Sequence, residues 1–170
     1  MKKSILSIVA MLALAGMANA GSVVFSNFGG TFAQIQADGV AIPAGTGFVA
    51  VGTTSLTPQD LAADVAANGG SQLSSAGLAL LASSFDQFGD EVTFGFNGAA
   101  GYFEGNGTGN GGAAAFNGNP ILLVAGNGTD IASSTSLLIV AGTGNFGPDA
   151  PTFSANVTPE APNTIIFGAA

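Results

Sequence analysis

After Lys3 the chain contains no lysine, arginine, histidine or cysteine. That absence limits the fold more than any other feature. It removes side-chain salt bridges, disulfides and nitrogen- or sulfur-ligated metal sites together. Hydrophobic burial and backbone hydrogen bonds must therefore stabilise whatever forms. All ten acidic residues lie beyond Lys3, with no cationic side chain to pair with. Charge of one sign repels phosphate-rich partners, so neither nucleic acid nor an anionic membrane surface is expected to bind.

The same absence restricts chemistry. A Ser-His-Asp or Cys-His arrangement, a Schiff base and a zinc site all need residues the chain lacks. Paired carboxylates remain the one route to acid–base catalysis, as in glycosidases. Asp86, Asp90 and Glu91 form the tightest acidic group in sequence, with Glu104 a little further on. Acids beside turns and helix ends are ordinarily solvated residues, and no catalytic role is assigned to these four. No cofactor is expected. Were a cation to bind, oxygen-only donors would select Ca²⁺.

The N-terminus has the order of an export signal. Lys2 and Lys3 precede an uncharged apolar run from Ile5 to Ala15, and Gly16 breaks the run before Ala18-Asn19-Ala20. Small residues at Ala18 and Ala20 fit a peptidase that cuts before Gly21. The apolar run is about half the roughly 20 residues a spanning helix needs. The expectation is a Sec signal peptide over 1–20 and a product that is secreted or held at the cell surface. The remainder suits one domain of roughly 150 residues, able to bury about 70% of its unfolded surface without disulfides.

Short β-prone runs separated by glycine, asparagine, serine and threonine follow. Ser22 to Phe28 and Phe48 to Thr53 read as strands. Phe32 to Val40 is a weaker signal and contains the turn pair Asp38-Gly39. Thr57-Pro58-Gln59-Asp60 places a capping hydroxyl before a proline and an acid in the first helical turn. Leu61 and Val65 share a face, and Asn68-Gly69-Gly70 stops that helix. A second helix is read from Ser74 to Gln87, since Leu78, Leu81, Phe85 and Phe88 recur at helical spacing and Gly89 offers a stop. The stripe is taken as packing against the sheet.

Val92, Phe94 and Phe96 alternate with polar residues as a half-buried strand does, and Asn97-Gly98 suggests a hairpin to Tyr102-Phe103-Glu104. The run GNGTGNGGAAA from Gly105 to Ala115 is poor in side-chain surface and reads as a surface loop. Continuous apolar runs, Ile121 to Ala125 and Ser136 to Ala141, mark strands buried on both faces. Gly144 to Pro162 reads as a proline-rich extended edge or linker. Asn163 to Gly168 is a last apolar strand. The expected fold is mainly β, an antiparallel β-sandwich of about seven strands with a short two-helix insert. Its expected bounds are 21–147, with the insert at 57–88, an extended segment at 148–162 and the terminal strand within 163–170.

Three motifs are set aside. Gly107-Gly109-Gly112 and Gly142-Gly144-Gly147 fit a dinucleotide fingerprint, but no helix is expected after either, and both are read as turns. Gly126-Asn127-Gly128-Thr129-Asp130 matches part of one calcium β-roll repeat, a family that stacks many copies. It too is read as a turn. Asn106, Asn127 and Asn156 begin Asn-x-Thr triplets, of which the first two are explained by Asn-Gly turns.

The order of signal, FSNFGG, FVAVGTTS, the DLAAD helix, FDQFG and NPILLVAGNGT resembles exported proteins of bacterial exosortase (PEP-CTERM) systems. Val157-Thr158-Pro159-Glu160-Ala161-Pro162 followed by TIIFGAA is similar to the start of their sorting tail. It departs from it in lacking Pro-Glu-Pro, a long apolar run and a basic cluster. The resemblance implies a surface or extracellular-matrix role. Export and the missing catalytic side chains point the same way, to a secreted, non-enzymatic structural or adhesive protein whose partners are surface polysaccharide or other copies of itself. A first alternative is a carbohydrate- or calcium-binding module using acids and asparagines of the Gly-rich loops, with Tyr102 and Phe103 stacking on sugar. A second is a polysaccharide hydrolase built on Asp86, Asp90, Glu91 and Glu104.

Overall fold

The computed structural model describes residues 21–27, 34–109, 112–147, 154–159 and 163–167. The expected signal segment lies outside these residues. Among them the strands run β1 (Gly21–Ser26), β2 (Gln36–Ala37), β3 (Val40–Ala41), β4 (Phe48–Thr53), β5 (Asp86–Gln87), β6 (Glu104–Gly109), β7 (Pro120–Gly126), β8 (Leu137–Asn145), β9 (Ser154–Val157) and β10 (Thr164–Phe167). Two helices, α1 (Pro58–Ala67) and α2 (Ser75–Ser84), fall between β4 and β5.

The apolar runs occupy the centre. A five-stranded antiparallel sheet has the order β10-β8-β7-β4-β5, and a three-stranded sheet the order β6-β1-β9. Period-two alternation sends the central side chains to two faces. Val49, Val51, Ile121, Leu123, Leu138 and Val140 face the small sheet, where they meet Val23 and Phe25 of β1. Phe48, Ala50, Leu122, Val124, Leu137 and Ile139 face Leu61, Val65 and Leu81 of the helices. The strands read as continuous because both faces are covered. The molecule is thus a β-sandwich with a helical layer on the outer face of its larger sheet. It has more strands than expected. One pairing, β1 with β9, is parallel.

The helix signals act as chemistry dictates. Thr57 Oγ1 accepts from the Asp60 amide at 3.1 Å, and Asp60 Oδ2 accepts from the Thr57 amide at 2.9 Å, which completes a capping box. Ser74 caps α2 by accepting from Gly77 N at 3.0 Å. Asp64 ties the helices together, its carboxylate accepting from both the amide and the hydroxyl of Ser74 at 2.7 Å. A Cβ on Gly77 would overlap that carboxylate, so the glycine clears its place. The expected two-residue turn is also present: Asp38 and Gly39, both at positive φ, join β2 to β3 in the manner of a primed turn.

Three expectations are corrected. First, α2 ends at Ser84, not Gln87, and Phe85 is already extended. Ser84 Oγ turns back to the Leu80 carbonyl, and β5 pairs with the end of β4. Pairing overrides the helical spacing, so the stripe divides between layers. Leu81 packs between the helices and the larger sheet, while Phe88 enters the sandwich core with Phe116 and Phe146. Second, Val92 to Phe96 is not a strand of a hairpin. Val92 makes one bridge to Val49, and Phe96–Gly98 is a 3-10 turn. Third, the Gly-rich run opens as a strand, β6, paired along its length with β1. Gly107 and Gly109 of one dinucleotide-like match lie in β6, and Gly142 and Gly144 of the other lie in β8, so these are strand residues and not turns. Glycine is required in β6, because a Cβ at Gly105 would overlap the Phe25 ring and one at Gly107 the Phe88 carbonyl.

The proline-rich segment contains β9, an edge of the small sheet, and the last apolar run supplies β10, an edge of the large one. Asn27 closes the entry to the core. Its side chain is fully buried, donating to the Gly101 carbonyl at 2.9 Å and accepting from the Phe103 amide at 2.7 Å.

Candidate functional site

The end of β4, the loop leading to α1 and the end of α2 bring together short hydroxyl runs that are separate in sequence. Thr53, Thr54 and Ser55 meet Ser83 and Ser84, with Asp86 of β5 beside them and Asn119 opposite, around a groove of about 460 Å³. The local reasons are simple. Strand β4 stops where its apolar alternation gives way to hydroxyl residues, and α2 stops where paired serines compete for its last carbonyls. Thr54 Oγ1 and Ser84 Oγ share a hydrogen bond that fixes the loop to the helix end. Asn119 is held by a 2.7 Å bond from Nδ2 to the Ala115 carbonyl.

Thr53 differs from its neighbours. It is 2% exposed, and its Oγ1 is buried without a hydrogen-bond partner. Such groups are rare, and leaving a hydroxyl unsatisfied costs roughly 1–3 kcal/mol. Asp86 is exposed at the mouth of the groove.

A smaller cavity of about 210 Å³ also reaches the end of α2 at Ala82, with Phe48, Phe85 and Ile131 among its apolar lining and Glu91 and Asp130 among its polar lining. Asp130 is committed to its own turn. Its Oδ1 accepts from the Ser133 amide at 2.8 Å, and this backbone bond, with help from the Ser133 side chain, lowers its pKa below the usual 3.8. The Asn127 carboxamide oxygen accepts from both Thr135 N and Ser136 N at 3.0 Å in the same turn. The calcium-like segment is therefore a self-bonded connection between β7 and β8, as expected of a turn.

The acids singled out in sequence are not gathered into one place. Asp86 lines the groove, Glu91 the smaller cavity, and Glu104 opens β6 in the other sheet. Asp90 is exposed on the connection after β5. Among the described residues no three His, Cys, Asp or Glu side chains are arranged to hold a metal ion. Phe103 cannot stack on a sugar, because it is fully buried against Phe25 and Phe94. Tyr102 is half-buried. The groove's hydroxyls were missed in sequence. The signals that point to them are the Thr-Thr-Ser run closing a strand and the Ser-Ser pair closing a helix.

Comparison with known protein families, curated proteins and solved structures finds no match to the chain.

Proposed function

We propose that the protein is an exported, non-enzymatic structural or adhesive component of the cell surface or extracellular matrix. One observation carries the reading: among the described residues, three carboxylates are spent on architecture and the acids singled out in sequence are not gathered at one site. Asp60 completes a helix cap, Asp64 joins α1 to α2, and Asp130 closes a turn. Asp86 and Glu91 line different cavities, and Asp130, which shares a cavity with Glu91, has its carboxylate bonded to the Ser133 amide. A glycosidase needs two carboxyl groups across one bond. The resemblance to exosortase-system proteins and the export-type N-terminus support the surface location.

Cell fractionation combined with a turnover assay tests the reading. The expected result is chain in the surface or extracellular fraction and no release of reducing sugar from polysaccharides incubated with it. Hydrolysis that disappears on replacing Asp86, Asp90, Glu91 or Glu104 by its amide would establish the hydrolase instead.

A further inference from the structure

We infer that the groove at the end of β4 binds one or two sugar units of a neutral polysaccharide. Its volume of about 460 Å³ lies within the range of small-molecule sites. The chemistry of its wall selects the ligand class. There is no cationic side chain anywhere after Lys3, so an anion has no partner here. Among the described residues Asp86 is the one carboxylate in the wall, too few for a Ca²⁺ ion that takes six to eight oxygens and favours several charged ones. Six of the other lining residues carry hydroxyls; those of Thr54, Thr57, Ser83 and Ser84 bond within the fold, and an apolar ligand would leave the buried Thr53 hydroxyl unpaired. A sugar ring suits each element. Vicinal hydroxyls donate to the two oxygens of Asp86, while the Thr53 and Ser55 hydroxyls both donate and accept.

The groove is also prearranged. The Thr54–Ser84 bond and the Asn119–Ala115 bond fix its walls before anything enters. The Thr53 hydroxyl is a buried polar group, without a partner, in the wall of this groove. A ligand hydroxyl reaching it would satisfy a group the fold leaves unbonded. The inference draws on the adhesive reading only for the source of the sugar. Binding is measured on purified chain, so its failure leaves the location and turnover tests untouched.

The experiment is calorimetric titration of purified chain with neutral glucan, galactan and mannan oligosaccharides. Sorbitol serves as a free polyol and polygalacturonate as a polyanion. At least one neutral oligosaccharide series is expected to bind, more tightly than sorbitol, with polygalacturonate silent. Asp86→Asn and Thr53→Val should each weaken binding about tenfold. Thr53→Val should leave the melting temperature unchanged or higher, since it removes an unsatisfied hydroxyl at nearly constant shape. Silence from every neutral oligosaccharide overturns the inference, as does unchanged affinity in Asp86→Asn, whose side chain is exposed and not needed for folding. Polygalacturonate binding as tightly overturns the neutral class, and sorbitol binding as tightly overturns a polysaccharide as the source.

Discussion

Phe25 and Gly105 stand directly opposite each other on the antiparallel strands β1 and β6, and the phenylalanine ring fills the space a side chain at Gly105 would take. The pair explains how a strand of glycine, asparagine and threonine belongs to the core. The core-facing bulk comes from the partner strand, from Val51 and the Phe88 carbonyl against Gly107, and from the Phe88 ring against Gly109. Aromatic cover of a cross-strand glycine is a recognised way to hold such a strand in register.

Gly105→Ala should therefore destabilise the protein by about 1–3 kcal/mol, the usual cost of overpacking. Gly144→Ala in β8, where a Cβ meets nothing within 4 Å, provides the contrast. There the lost unfolded-state freedom should leave stability equal or raise it by about 0.4–1 kcal/mol. Thermal melts of the two variants check both signs. Phe25→Leu should recover part of the Gly105→Ala loss in a double-mutant cycle, because the two sites share one volume.

Asn27 is the buried polar residue with most at stake. Asn27→Leu removes the acceptor for Phe103 N, leaving that amide unpaired in the core, while the Gly101 carbonyl loses one of two donors and keeps the Ile35 amide at 2.9 Å. A loss of about 1–3 kcal/mol is expected from one such group. The check is chemical denaturation, with a lower midpoint at an unchanged slope.

The capping box gives a pH-dependent prediction. Hydrogen bonds from the Thr57 hydroxyl and then its amide hold the Asp60 carboxyl below its ordinary 3.8, and Ser133 does the same for Asp130. A depressed native pKa contributes stability that is present above the unfolded value and lost as pH falls through the native one. The stabilisation these two carboxylates supply should thus be lost on acidification below about pH 4, read against a variant that lacks one of them. Asp60→Asn should melt lower than the wild type at pH 6, with the two curves converging toward pH 2. Thr57→Ala should cost about 1 kcal/mol at neutral pH through the lost cap.

Much of the fold was legible in the residues. Strands β4, β7, β8 and β10 announce themselves as apolar runs, and Thr57-Pro58 and Asp38-Gly39 mark their cap and turn because each acts through its own backbone. What escaped depends on distant partners. Strand β6 has little to bury until Phe25 and Phe88 lie against it. The spacing that joined Leu81 to Phe88 is a coincidence across a chain reversal, broken when β5 pairs with β4. The groove escaped for the same reason, since Thr53, Ser84, Asp86 and Asn119 come together only after the sheet forms.

Unopposed acidic charge makes a further prediction. With ten acidic residues and no cationic side chain after Lys3, the chain repels itself, and screening shortens from about 10 Å at 0.1 M salt to about 3 Å at 1 M. Raising sodium chloride from about 10 mM to about 0.5 M at pH 7 should raise the melting temperature. A flat or falling response would show that repulsion has no hold on stability.

The proposal rests most heavily on a cation-free acidic chain being what acts outside the cell. Intact-mass analysis with N-terminal sequencing, performed on surface and intracellular material, tests this directly. The expected product is extracellular or surface-held and begins at Gly21, the first residue of β1. Recovery of the chain only inside the cell, with Lys2 and Lys3 still attached, would contradict it.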